Sequence, residues 1–501
     1  MVRTRFAPSP TGALHIGGVR TALFSFLLAR SLGGQFFLRI EDTDRARFKP
    51  GTIQQIMDSL RWAGIDFDAG PDHASLSKLG EDFPGALPDA ANHGIPGPFV
   101  QSERLHLYRE HAEKLVAQGV AYRCNETPEE LQRMRQEAEA AKRTFTFKKA
   151  NRLRADVQPG DPGHHIRLDM PITGQAVLDD LVMGRVTFEY ANVDDPVIVK
   201  GDGSATYHLA AMYDDWAMGV THIIRSTEWL ASVPKHLYLF HVSGWPMPKF
   251  GHVPNVNGED GKKLSKRKGA PSMFEFRDAG YLPEAAMNYL ALLGWAPGGG
   301  DEQNVFTSAE LFAKFSMAHV GSSPAIFSYP KLDWLNGTHI RRLAPDDLAG
   351  RLMPFLNKAG ITVETPEQKA MLARVIPLVQ ERLKRLNEIG PLVDFAFAKT
   401  ISPVPRELLI GPKMEQHLSL FALKAARDVL GTQQFDDDAG LEETMRDLCD
   451  ELKLKPNQLF TIIRNAISGK TVTPPLFGLM GVIGKDVCLA RIDAAIQTLS
   501  A

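Results

Sequence analysis

Cysteine is scarce in this chain: Cys124, Cys449 and Cys488 are the three in 501 residues. An odd, widely spaced set excludes a disulfide framework. None of them stands in a Cys-x-Cys or Cys-x-x-Cys pair, so a structural zinc site made of cysteines is not expected, while Cys124 with distant histidines stays open. Net charge is equally scarce. Lys and Arg number 57 against 59 Asp and Glu, leaving −2, which excludes the bulk electrostatic signature of a nucleic-acid binder and confines any such contact to local basic patches. Long apolar runs are missing too. No stretch approaches the roughly 18–20 apolar residues that span a bilayer, and the opening MVRTRFAPSP has no apolar signal-peptide core. A cytoplasmic protein with no membrane partner is the expectation.

What is present is an ordinary globular composition, 44% hydrophobic and 23% charged, so there is a core to bury. At about 100–200 residues per domain the length implies three to five units. Near the start, Val2–Phe6 reads as a strand, a helical spacing of Val19, Leu23, Phe26 and Leu27 runs to Gly33, and Gln35–Asp42 reads as a second strand. Strand, crossover helix, strand is the parallel unit of a doubly wound sheet. Thr52–Trp62 makes a further helix. Asp66–Phe99 is rich in Pro, Gly, Asp and Ala without periodicity and reads as a surface excursion. After an amphipathic helix from Ser102 to Gly119, the TPEE at Thr127–Glu130 carries an N-cap, a first-turn proline and a capping-box glutamate. It opens a basic, alanine-rich helix expected to reach about Lys149 with a solvated face. Strand-like segments HHIRLDM, GRVTFEY and DDPVIVK follow, and beyond Gly251 the chain is mostly helical.

Two stretches carry chemistry. HIGG, at His15–Gly18, lies between a strand and a helix start, where unpaired backbone N–H groups face an anion. Gly17 and Gly18 let a flat or anionic ligand approach the backbone, and His15 can donate to phosphate oxygens. GEDGKKLSKRKG, at Gly258–Gly269, packs the cations Lys262, Lys263, Lys266, Arg267 and Lys268 around Leu264 and Ser265. A glycine-bracketed loop of this kind suits a polyphosphate, whose transferring group develops charge that Lys and Arg stabilise.

HIGG and KLSKR together resemble the two nucleotide-binding signatures of class I aminoacyl-tRNA synthetases. RFAPSPTGALHIGG, RIEDTDRAR, GDGSATYHLA, DDWAMGVTHIIR, PKHLYLF and KLDWLNGTHIR, in this order, are similar to segments of bacterial-type glutamyl-tRNA synthetases, and the resemblance covers nearly the whole chain. It implies an α/β fold: a class I Rossmann-like catalytic domain with an α+β acceptor-binding insert, followed by an all-helical anticodon-binding region. The boundaries expected are 1–100 for the first catalytic half with a loop insertion at about 68–99, 101–194 for the acceptor-stem insert, 195–250 for the second catalytic half, 251–320 for a stem-contact region with the KLSKR loop, and 321–501 for the anticodon part.

The resemblance implies a glutamate–tRNA ligase that forms AMP and diphosphate. Arg5 and Arg225 would hold the glutamate, a role in which a guanidinium fork discriminates a carboxylate from a neutral amide. Ser9, Glu41 and Tyr207 match the other amino-acid contacts, with Glu41 suited to the ammonium. His15, Gly17 and Gly18 with Lys263, Ser265, Lys266 and Arg267 match the ATP site, His15, Lys263, Lys266 and Arg267 being the catalytic set. Glu228 and Trp229 match residues that line the adenosine and amino-acid pocket. ATP and Mg2+ are implied, the metal held by phosphates and water rather than by a protein cage. The implied partners are L-glutamate and the glutamate tRNA, the glutamine tRNA being an open second substrate, and a monomer is expected by analogy.

The chain departs from the family at IIRSTEWL, which replaces the commoner RGEDHL yet keeps the arginine and the glutamate equivalent. AYRCNET lacks the Cys-x-Cys of zinc-binding members, so no zinc is expected. A glutaminyl-tRNA synthetase would carry a β-barrel C-terminus, and a shorter relative that modifies a tRNA base would lack the anticodon part. The alternative from another class is an inactive paralogue acting as an RNA-binding module, against which His15, Lys263, Lys266, Arg5 and Arg225 speak.

Overall fold

The computed structural model describes residues 1–12, 14–44, 47–81, 87, 93–142, 145–264 and 271–501. Two compact units divide the chain: residues 1–275 with 286–328, and residues 276–285 with 329–501.

The first unit is built on parallel strand pairs. β1 (Arg3–Phe6) pairs with β2 (Gln35–Leu38), joined by the Ile16–Ser31 helix. That helix is buried on nearly every side, from Ile16 and Val19 through the unbroken run Ala22–Ala29. The four-residue apolar spacing read from the sequence is therefore part of a wider apolar surface, as befits a helix enclosed in a core rather than lying on one. Each fully buried Leu or Phe there contributes about 1.5–3 kcal/mol.

The insert follows. β3 (Ala121–Cys124), β4 (His165–Leu168) and β7 (Val197–Val199) form an antiparallel sheet, and β5 (Gln175–Asp180) with β6 (Gly184–Glu189) a hairpin. Along β5 burial alternates, so Ala176, Leu178 and Asp180 share the inner face. The chain then forms a second parallel pair, β8 (His222–Ser226) with β9 (Lys249–Val253). Thr221 N–H donates to the Arg3 carbonyl at 2.9 Å, which sets the start of β8 beside β1. Leu181 N–H donates to the Phe250 carbonyl at 2.8 Å, which lays the hairpin against β9.

Two expectations change. The 66–99 stretch is not wholly a surface excursion: Leu38 N–H donates to Ala69 O and Ile40 N–H to Phe99 O, and Ala69, Leu76, Ile95 and Phe99 are buried. Its two ends run along the chain of β2 and just beyond it because the sheet edge there offers unpaired backbone groups. The helix opened by TPEE has the capping box and the first-turn proline, but it spans Pro128–Ala140 rather than reaching Lys149. None of its residues is buried, so no tertiary packing extends it past Lys142, whose positive φ of 54° breaks the helical path.

Among its described residues the second unit carries helices and no strand from Tyr329 onward. One core gathers Leu348, Leu352, Val375 and Ile389, and another Leu423, Ile462, Met480 and Ile492. Arg385 grips Asp333 with two nitrogens at 2.8 and 2.7 Å while Tyr281 donates to the same carboxylate at 2.6 Å.

Candidate active site

β1, the turn after it and the start of the Ile16–Ser31 helix form one wall of a cleft of about 490 Å3. The other walls come from the Tyr207–Ala217 helix, the end of β8 with the turn after it, and residues 254–264. All the described residues picked from the sequence line this cleft: Arg5, Ser9, His15, Gly17, Gly18, Glu41, Tyr207, Arg225, Glu228, Trp229 and Lys263. Ser265, Lys266 and Arg267 lie outside the described residues.

His15 is the N-cap of the Ile16–Ser31 helix, its Nδ1 accepting the Gly18 N–H at 3.3 Å. That bond places the neutral ring's proton on Nε2, a donor suited to an anion. A Cβ at Gly17 would stand 3.1 Å from the His15 ring, so the glycine lets the histidine take this pose. Lys263 sits on the opposite wall in an ion pair with Glu228, both partly exposed. Trp229 is 37% exposed rather than packed in a core, and its ring stacks on Tyr207 at 4.1 Å.

The two arginines expected from the sequence to hold glutamate differ in their surroundings. Arg5 is buried and bound by Asp215 through Nε at 3.0 Å and Nη2 at 3.1 Å, while Nη1 reaches the Ile224 carbonyl at 3.2 Å. Asp215 also takes Arg39 at 2.8 Å, and Arg39 takes Glu41 at 3.0 Å. Burial alone would raise the Asp215 carboxyl, but Arg5 and Arg39 outweigh it and hold it below its ordinary value. For Glu41 burial wins over Arg39, and its carboxyl lies above the ordinary value. An incoming ammonium would restore its charge, which fits the role read from the sequence.

Arg225 has no carboxylate within ion-pair distance among the described residues. Its Nε donates to His252 Nε2 at 3.0 Å, its Nη1 to His236 Nδ1 at 3.0 Å, and its buried Nη2 has no partner. Arg20, also lining the cleft, is likewise buried without an acid: it donates to the carbonyls of Leu293, at 2.8 Å, and Pro254, and burial lowers it to about 10. Two buried arginines without a direct acidic partner among the described residues make the cleft a site for anions.

Metal ligands gather elsewhere. Cys124, Glu126 and His165, in the insert, hold their ligand atoms within 4.8 Å of one another, with Sγ to His165 Nε2 at 3.1 Å. Glu126 occupies the place of the second cysteine that the sequence lacks. Burial pushes the Cys124 thiol up to about 12, so it is a thiol here. Among the described residues this set is one ligand short of the four that a structural zinc takes.

Residues 1–334 match the family described as tRNA synthetases class I (E and Q), catalytic domain, and residues 347–496 match the anticodon binding domain. A glutamate–tRNA ligase of Dehalococcoides mccartyi is 46% identical over 500 residues, covering 100% of this chain and 98% of the relative. The chain belongs to the glutamate–tRNA ligase family. Another member, from Roseiflexus castenholzii, is 42% identical over 514 residues, with 100% and 97% covered. Among solved structures, a glutamate tRNA ligase from Elizabethkingia meningosepticum in complex with its amino acid superposes with a TM-score of 0.85 at 30% identity, covering 99% of each chain.

Sequence reasoning had not named Asp180, His208, His236, His252, Asp215, Arg39 or Arg20. The inward position of Asp180 on an alternating strand was a usable signal, since a carboxylate on an apolar face needs a partner. Arg39, His208, Asp215 and His236 stand inside the segments RIEDTDRAR, GDGSATYHLA, DDWAMGVTHIIR and PKHLYLF, where the resemblance marks the segment but not the role of these side chains, and Arg20 and His252 carry no local signal.

Proposed function

We propose that the cleft joins L-glutamate to ATP and passes the activated acid to tRNA. The glutamate α-carboxylate oxygen attacks the α-phosphorus in line, the bond to the bridging oxygen breaks, and diphosphate leaves. A ribose hydroxyl of the terminal tRNA adenosine then attacks the acyl carbon, its proton is lost, and AMP departs. No covalent enzyme intermediate is required, so positioning and fixed charge supply the catalysis.

The observation that carries this reading is the buried Arg225 Nη2, which lacks a partner among the described residues, in a cleft that also holds a helix N-terminus. A side-chain carboxylate satisfies that nitrogen, whereas the amide of glutamine leaves its charge unanswered. Glu41 suits the substrate ammonium, and the His15 Nε2–H with the backbone N–H groups after it suits the phosphates. Lys263, and Lys266 with Arg267 by sequence, supply charge to the departing diphosphate. Mg2+ would arrive on the nucleotide and neutralise phosphate charge; among the described residues the cleft lining carries Glu41, Asp44 and Glu228 as its carboxylates. The partners read this way are the glutamate tRNA and, as the finer question, the glutamine tRNA, for a cytoplasmic monomer.

The test is aminoacylation of total bacterial tRNA with labelled glutamate beside labelled glutamine, followed by separation of the charged species. Glutamate on the glutamate tRNA alone marks a discriminating ligase, and glutamate on both tRNAs a non-discriminating one. No charging with either amino acid, with ATP and Mg2+ present, overturns the reading.

A further inference from the structure

Arg225 is held by histidines, and each histidine has its proton directed away from the arginine. Asp180, at the inner end of β5, receives His252 Nδ1–H at 2.6 Å, along with the His252 backbone N–H at 3.1 Å and those of Val182 and Met183 at 2.9 Å. His252 Nε2 is thereby left as an acceptor for Arg225 Nε. On the other side, His236 Nδ1 accepts from Arg225 Nη1, so its Nε2–H donates to His208 Nδ1 at 3.1 Å. Burial holds His236 well below the ordinary imidazole value and His208 at about 4, so both rings are neutral at working pH. The Tyr207 hydroxyl, 3.5 Å from Nη1, adds no charge. An aspartate or glutamate in place of either histidine would have served the hydrogen bonds equally well, as Asp215 does for Arg5, but would have spent the positive charge.

We propose that Asp180, His252 and His236 are positioning residues whose neutral acceptor nitrogens orient Arg225 while leaving its charge to the substrate's side-chain carboxylate, and that they thereby set the preference for glutamate over glutamine. Resting on the function proposed above, this assigns to a hairpin of the acceptor-binding insert a part in choosing the amino acid, since Asp180 fixes the tautomer of His252.

The test compares His236→Ala, His236→Gln and His236→Glu with Asp180→Asn in the full chain. It reads glutamate KM, ATP KM, kcat and the ratio of kcat/KM for glutamate over glutamine. His236→Ala is expected to raise glutamate KM about tenfold or more. His236→Gln, which restores a neutral acceptor, recovers most of that loss. His236→Glu offers the same reach with a charge, and it should leave glutamate KM high and shrink the preference over glutamine about tenfold while ATP KM holds. Asp180→Asn frees the His252 proton to face Arg225 Nε, and should raise glutamate KM with ATP KM unchanged. A merely structural role would move both KM values together and treat the Gln and Glu variants alike. That pattern, or an unchanged glutamate KM in Asp180→Asn, overturns the proposal while the wild-type chain still charges tRNA. Failure of the wild type to charge tRNA at all overturns both readings.

Discussion

Arg5 and Asp215 are bound two-pronged in the interior, Nε to Oδ1 at 3.0 Å and Nη2 to Oδ2 at 3.1 Å. Both are buried, and Asp215 serves Arg39 as well, so one carboxylate answers two guanidinium groups. Removing it leaves the buried Arg5 without an acid among the described residues, beside an Arg39 that keeps Glu41 and Asp214, which costs about 3–5 kcal/mol. Asp215→Ala is therefore expected to lower the urea midpoint of the first unit sharply. Tryptophan fluorescence reads that unit well, because five of the six tryptophans lie in it. An unchanged midpoint would mean that the network carries no stability.

Arg225 presents the opposite case. Its contacts are neutral, and burial lowers its affinity for the proton, so its charge is a cost to the empty fold. Arg225→Gln should leave the melting temperature unchanged or raise it. The same substitution should reduce kcat/KM for glutamate about 30- to 5000-fold, the effect of losing a charge partner worth about 2–5 kcal/mol. Aminoacylation kinetics beside a melting curve separate the two effects, and normal glutamate use in this variant would remove Arg225 from the pocket.

This contrast also marks what could be read without coordinates. HIGG and the 258–264 stretch are local: the turn, the cap and the cations sit within a few residues, and the chemistry shows in the string itself. The partners of Arg225 and Arg5 are not local. Asp180 is 72 residues from His252, His252 is 27 from Arg225, and Asp215 is 210 from Arg5. Only the return of the chain to β8 and β9, and the laying of the hairpin along β9, brings them together. Which arginine is already neutralised therefore follows from sheet topology. The end of the Pro128–Ala140 helix was missed because the alanine-rich string runs on without a break signal, while the backbone turns to a positive φ of 54° at Lys142.

Lys263 reaches across the mouth of the cleft to Glu228, and both are well exposed, so the pair contributes little to stability. Its consequence is competition, because a phosphate must draw the ammonium away from the carboxylate. Glu228→Gln is expected to leave melting unchanged and to alter ATP KM rather than glutamate KM. Lys263→Ala should raise ATP KM and lower kcat, and Lys266→Ala, judged from the sequence, should lower kcat about 100- to 1000-fold with tRNA binding intact. Steady-state kinetics in ATP with a filter-binding assay for tRNA check all three, and wild-type turnover in Lys266→Ala would take that loop out of the mechanism.

Acid should destabilise the first unit before its carboxylates titrate. Burial lowers His208 and His111 from 6.5 to about 4, and holds His236 well below its ordinary value. The unfolded chain binds protons at these positions below about pH 6.5 while the folded chain does not. Stability is thus full above that pH and falls as the pH drops toward 4. His111 offers a clean test because it lies outside the cleft, stacked on Trp245 at 4.6 Å with Nε2 2.9 Å from the Ser243 hydroxyl. His111→Gln should lose on the order of 1 kcal/mol less between pH 7.5 and 5 than the wild type, after allowance for partial screening by water. Unfolding curves at the two pH values decide it: parallel losses in both proteins would mean that His111 takes up its proton within the fold.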